Sequence, residues 1–264
     1  MGVEVVYADT LEQFIAKVRT FRRKWEEEEL WFRGVTSSRH RLRPSLYRNR
    51  RETEAQARRQ EDEARIEFSR RGHALVLERE PRTDLDWYVV MRHNEVPTRL
   101  LDWSEGCLIA LYFALRHQTP TPPGRKPQNC AVWVLDPQWL NGRAEEERGK
   151  RPKYEFLTPS SPELKRYLPP PRSRKTYGLA PVAFLPNYLL RQMSTQRSAF
   201  TIQGAPDGFE RIASAPGHVR ISKVVVRHKG SDMILHDLSS CGVDEATVFP
   251  DLGGLGREVT ESYL

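Results

Sequence analysis

Apolar residues recur at helical spacing near the start of the chain, at Leu11, Phe14, Ile15, Val18, Phe21 and Trp25, with Asp9 or Thr10 placed to cap the first turn. The spacing predicts a helix from about Thr10 to Glu27. A short apolar run then reads as a strand, Leu30 to Gly34, followed by an irregular basic stretch from Ser38 to Arg48. From Glu52 to about Arg71 arginine and glutamate dominate, which predicts an exposed helix laced by side-chain pairs. Leu85 to Met91 predicts a further helix that runs into the loop around Pro97.

Ser104 stands where it can cap a helix whose Leu108, Ile109, Leu111, Tyr112, Phe113 and Leu115 make it apolar nearly all round. Such a helix must be buried. Thr119 to Pro127 reads as its Pro/Gly-rich exit, and Ala131 to Leu135 as an interior strand. Proline and charge dominate from about 141 to 178, which predicts a surface insertion. Strands are expected at Val182–Leu185, Ala199–Ile202 and Val219–Val226, helices at Asn187–Met193 and Ser231–Leu238, and a turn-rich tail over Val248–Leu255. The pattern predicts one α+β domain over residues 1–264, a mixed or antiparallel sheet with helices packed on it.

The 42 Lys and Arg against 35 Asp and Glu give a net charge of +7, which points weakly to phosphate-rich partners. Cys107, Cys130 and Cys241 stand far apart, so neither a disulfide framework nor a zinc site is expected, and a reducing compartment follows. The N-terminus lacks a basic start and a long apolar core, and no run approaches the ~20 apolar residues of a membrane span. The expectation is a cytoplasmic protein with no membrane partner. No carboxylate pair joins the seven histidines at ligand spacing, so no metal is expected.

Arg33 ends an apolar strand and is followed by Gly34, which admits a ligand or a neighbouring backbone; the guanidinium fork suits phosphate or carboxylate. The structural alternative is a strut paired to an internal acid. Arg99 and Asp102, three residues apart, read on spacing alone as an ion pair that pins the loop. His93 is placed to act as an acid or base near neutral pH, or to pin the same loop.

Trp31-Phe32-Arg33-Gly34, Arg43 to Arg48 and above all Met91 to Ser104, with its Pro-Thr-Arg-Leu-Leu-Asp-Trp block, resemble the FRG-domain family. Ala110 to Ala114, Ala131 to Asp136, Gln196 to Ile202 and Thr247 to Leu252 extend the resemblance over most of the chain. That family implies little about function. The order of elements is also similar to ADP-ribosyltransferases: a strand ending in Arg-Gly, a hydroxyl-bearing element, a helix of the type Ala-Leu-x-Phe-Ala, then another strand.

That second resemblance implies an ADP-ribosyltransferase-like fold, with NAD as substrate and a nucleic acid or a protein as target, in a toxin or phage-defence effector. It implies Arg33, Asp102 and Gln196 as catalytic residues beside the acid or base read at His93, and Arg33, Gly34, Tyr47, Thr98, Arg99, Trp103 and Ser104 around the NAD, with Trp103 or Tyr47 stacking on a ring. It also implies that the strand Ala199–Ile202 lies beside the strand of Arg33. Those transferases usually carry a Glu where this chain has Gln196, and a neutral amide stabilises developing positive charge less well. The alternatives are a non-catalytic nucleic-acid or nucleotide-binding module built on Arg33, Arg43 and Arg99, and a metal-free nuclease or hydrolase built on His93 and Asp102.

Overall fold

The computed structural model describes residues 2–48, 52–75, 79–116, 128–168 and 179–263. In chain order, β1 (Glu4–Ala8) leads into α1 (Leu11–Trp25) and β2 (Trp31–Val35). A short 3-10 turn at Ser45–Arg48 precedes α2 (Glu54–Gly72), α3 (Asp84–His93), β3 (Leu100–Ser104), α4 (Cys107–Leu115), β4 (Cys130–Leu135) and α5 (Pro137–Glu147). Then follow β5 (Val182–Phe184), α6 (Arg191–Thr195), β6 (Ser198–Ile202), α7 (Gly208–Ser214) and β7 (Ile221–Val226). The chain closes with α8 (Ser231–Ser240), α9 (Glu245–Val248) and α10 (Leu252–Tyr263).

Side-chain caps start several of these helices. The Thr10 hydroxyl accepts from the Gln13 N–H, and Thr53 with Gln56 and Thr83 with Asp86 form reciprocal capping boxes. All seven strands join one sheet in the order β1-β7-β4-β2-β3-β6-β5. Among these seven described strands only β1 and β7 pair in parallel, so the sheet is mixed. Alternation along β4 sends Val132 and Val134 into one core with Phe32, Phe14 and Leu111, and Trp133 and Leu135 into a second with Trp31 and Leu140. Both faces of the sheet are therefore covered. No helix among the described residues is long and apolar enough to cross a membrane, and the three cysteines are free.

Several sequence expectations need correction. Glu4–Ala8 is an edge strand whose mostly exposed side chains give no burial signal. The expected capping role of Ser104 fails, because this residue ends β3 and Gly106 starts α4 without a side-chain cap. Within 141–168 the chain is no mere surface excursion: α5 begins at Pro137 on an Asp136 cap, and Leu157, Leu164 and Tyr167 are buried in the core. Residues 169–178 of that stretch, and the Thr119–Pro127 connection, lie outside the described residues.

The helix expected at Asn187–Met193 forms later, at Arg191–Thr195, and α7 was not foreseen. The turn-rich tail includes α10, masked in the sequence by Gly253, Gly254 and Gly256. Gly254 is there for packing, since a Cβ would stand 2.1 Å from the Phe249 carbonyl oxygen. Finally, α2 is less exposed than its composition suggests, with Arg58 and Glu61 both buried.

Candidate functional site

Strands β2 and β3 are in register only where Phe32 faces Ser104. Beyond that point a side chain takes the place of the ladder. Arg33 Nη1 donates to the Asp102 carbonyl oxygen at 2.6 Å and to Asp102 Oδ2 at 2.8 Å. Arg92, near the end of α3, grips the same carboxylate with Nε to Oδ1 and Nη2 to Oδ2, the latter at 2.8 Å. Burial opposes ionisation of Asp102, but the charges of Arg92 and Arg33 outweigh it and hold the carboxyl well below the usual carboxylate range.

Gly34 explains why α4 sits where it does. A Cβ at this position would lie 2.0 Å from the Ala110 carbonyl oxygen and 2.6 Å from the Ala114 nitrogen, so it is the helix backbone, not a ligand, that needs the glycine. α4 thereby lies against β2 and brings Phe113 and Arg116 to the wall of a cavity of about 360 Å³. His93, Glu95, Asp102, Gln192, Gln196, Ser198 and Phe249 also line it.

The charges around this cavity are mostly positive. Arg33 is 12% exposed and faces it. The exposed Arg48 stands close enough that burial, then the like charges of Arg33 and Arg92, lower its pKa against the pull of Asp102. Arg116 lies 4.0 Å over the Phe249 ring and donates to Glu245, which also accepts from Tyr112 and Arg257. Asp102 and Glu95 thus stand against Arg33, Arg92 and the nearby Arg48, which leaves one positive charge in excess for an anion.

His93 Nε2 is buried with no hydrogen-bond partner. Burial, partly countered by Asp102 and reinforced by Arg92, lowers its pKa and keeps the imidazole neutral. The ring meets Phe200 edge-on, with centroids 6.0 Å apart.

Of the residues expected at the site, Arg33, Gly34, His93, Asp102, Trp103, Ser104 and Gln196 line this cavity. The Trp103 ring, however, is turned into the core, with Nε1 donating to Thr201 Oγ1 at 3.0 Å. Ser104 Oγ donates to the Gln196 carbonyl at 2.7 Å, and the Gln196 amide donates to the Val248 carbonyl at 3.1 Å. β6 is not the neighbour of β2, since β3 lies between them; Gln196 reaches the cavity because it precedes β6 on the same side as the end of β3.

Tyr47, Thr98 and Arg99 lie elsewhere, all buried. The Tyr47 hydroxyl donates to the Gly204 carbonyl, and Thr98 Oγ1 accepts from the Leu100 N–H. Arg99 is no partner of Asp102: its Nε and backbone N–H donate to the two oxygens of Glu61 on α2, and Nη2 donates to the Tyr167 carbonyl. Both side chains of that pair are 2% exposed. Sequence reasoning missed Arg92 as the second clamp on Asp102, although it stands in the same distinctive block ten residues upstream. It also missed Arg116, for which the sequence carried no signal, and Phe249, although Phe249 stands in the Thr247–Leu252 stretch that shares the resemblance.

No curated protein and no solved structure matches this chain. The family model of the FRG domain matches residues 28–122, from just before β2 to just past α4. The stretch that supplies Arg33, Arg92, His93, Asp102, Ser104 and Arg116 to the cavity is thus an FRG domain, and the remaining wall comes from the chain that follows it.

Proposed function

We propose that this chain is an ADP-ribosyltransferase-like enzyme that uses NAD to modify a nucleic acid or a protein. One observation carries the reading: Arg33 on β2, Ser104 at the end of β3 and Gln196 just before β6 belong to three successive strands of the sheet and line one cavity. That is the order of strand, hydroxyl element and later strand by which the sequence resembles those transferases.

In this reading the excess positive charge around Arg33, Arg92 and Arg48 holds the pyrophosphate. The bond between ribose C1′ and the nicotinamide nitrogen breaks, its electron pair leaves with nicotinamide, and the positive charge that develops on the ribose faces the ionised Asp102. The acceptor forms a bond to C1′ and passes its proton to a base, for which the neutral His93 is the candidate. The Gln196 amide nitrogen is committed to Val248, which leaves its oxygen to receive a ribose hydroxyl. The role implied for such an enzyme is that of a cytoplasmic toxin or phage-defence effector.

Gln196 itself favours a second reading, a non-catalytic nucleotide- or nucleic-acid-binding module, because an amide stands where an acid would serve catalysis. Incubating the purified chain with NAD in the presence of nucleic acid or protein, beside an Arg33→Ala control, separates the two. Consumption of NAD and transfer of the ADP-ribosyl group by the wild type alone supports the enzyme. Binding of NAD or of nucleic acid without consumption supports the module, and binding of neither removes both.

A further inference from the structure

A second and larger cavity, of about 780 Å³, opens beside the first, and the two share His93 and Gln192 as lining residues. Its character differs. Phe68 on α2, Val90 on α3, Val96 and Leu190 make its walls apolar. The charges around it balance, with Glu67 and Asp251 against Arg71 and Arg191; Arg71 pairs with Glu67, and Asp251 accepts from Gln192.

We infer that this larger cavity takes the adenine base of a dinucleotide whose phosphates lie in the arginine-lined cavity next to it. The inference rests on the NAD reading above. Three observations fix the class of occupant. The volume suits a ring with its sugar, since small-molecule sites run from ~300 to ~1,000 Å³ and are mostly apolar with a few polar groups that orient the ligand. The large cavity has such groups in Asn94 and in Gln192, the latter shared with the first cavity.

Charge makes the third argument. The charges at this cavity balance and so draw no cationic ring, whereas the ionised Asp102 in the first cavity favours one. The neutral purine therefore belongs in the large cavity, and the cationic nicotinamide ring with its ribose belongs near Asp102.

The test is titration calorimetry of NAD, ADP and inorganic pyrophosphate against the wild type and three variants. Ala64→Phe fills the large cavity from α2, and Leu75→Trp fills its mouth from an exposed position where folding is not at stake. Arg33→Gln weakens the first cavity. Both filling variants are expected to bind ADP and NAD at least ten-fold more weakly than the wild type and to keep its affinity for pyrophosphate, whereas Arg33→Gln weakens all three ligands. If the wild type binds NAD and Leu75→Trp binds ADP and NAD as the wild type does, the base lies elsewhere and the inference falls while the NAD reading stands. If the wild type binds neither NAD nor pyrophosphate, the NAD reading falls, and the inference with it.

Discussion

Arg33 Nη1 contacts both the carbonyl oxygen and Oδ2 of Asp102, at 2.6 and 2.8 Å, so one guanidinium bridges β2 to β3 and neutralises the carboxylate beside the cavity. Asp102 therefore competes with any anion for Arg33 and Arg92. Asp102→Asn removes that competitor but leaves one side-chain oxygen to accept hydrogen bonds. Pyrophosphate affinity is expected to rise about ten-fold, while stability falls by about 1–2 kcal/mol, a modest loss because Asp102 is 40% exposed. NAD consumption is expected to fall in the same variant, since the charge that faces the ribose is gone. Calorimetry and urea unfolding read the first two effects, and an unchanged pyrophosphate affinity would show that the arginines do not hold the anion.

Gly34→Ala tests the packing of α4 on β2. The added methyl would meet the Ala110 oxygen and the Ala114 nitrogen, both backbone atoms that cannot rotate away, so helix and strand must separate. A loss of about 3 kcal/mol or more is expected in urea unfolding, at the upper end for overpacking. Gly256→Ala is the control. Within α10, where a Cβ meets nothing within 4 Å, it is expected to stabilise by about 0.5–1 kcal/mol.

How much of this was legible in the sequence follows from the range of each interaction. The helix α1 and the strand β4 were readable because periodicity is local, and the cap at Thr10 lies three residues from its partner. Arg33 and Asp102 were recognisable as candidates from their motifs, yet no spacing reveals that they clamp each other across 69 residues. Arg99 was misplaced for the same reason: its partner Glu61 lies 38 residues away on a helix whose composition reads as exposed. The cavity wall around Phe249 was illegible because α9 and α10, which flank it, are short or glycine-rich.

The buried imidazole of His93 makes a prediction about pH. Its folded pKa lies below the value of about 6.5 expected for the unfolded chain, so the unfolded state binds the proton more readily. The stability that follows from keeping His93 neutral is present in full above pH 6.5 and is lost as the pH falls through the folded value. Urea midpoints of the wild type are expected to drop between pH 7.5 and 5, and His93→Gln is expected to lose part of that drop. His40, whose pKa is also lowered by burial and by Arg48 and Arg33, is common to both proteins, so the difference isolates His93. Parallel pH profiles for the two proteins would mean that His93 titrates normally.

Gln196→Glu addresses the departure from the transferase pattern directly. The amide donates to the Val248 carbonyl at 3.1 Å and the residue is 8% exposed, so an ionised carboxylate there loses a donor and faces a carbonyl dipole. The variant is expected to be less stable by about 1–3 kcal/mol at pH 7.5, with part of the loss regained as the pH falls and the carboxyl takes up a proton and donates again. In the same position, however, a carboxylate stabilises positive charge on a bound ribose far better than an amide does. NAD consumption per folded molecule is therefore expected to rise, at least ten-fold, while NAD affinity changes little. Loss of stability with no gain in turnover would place Gln196 in a purely structural role, as the residue that ties the end of β3 and the start of β6 to α9 through Ser104 and Val248.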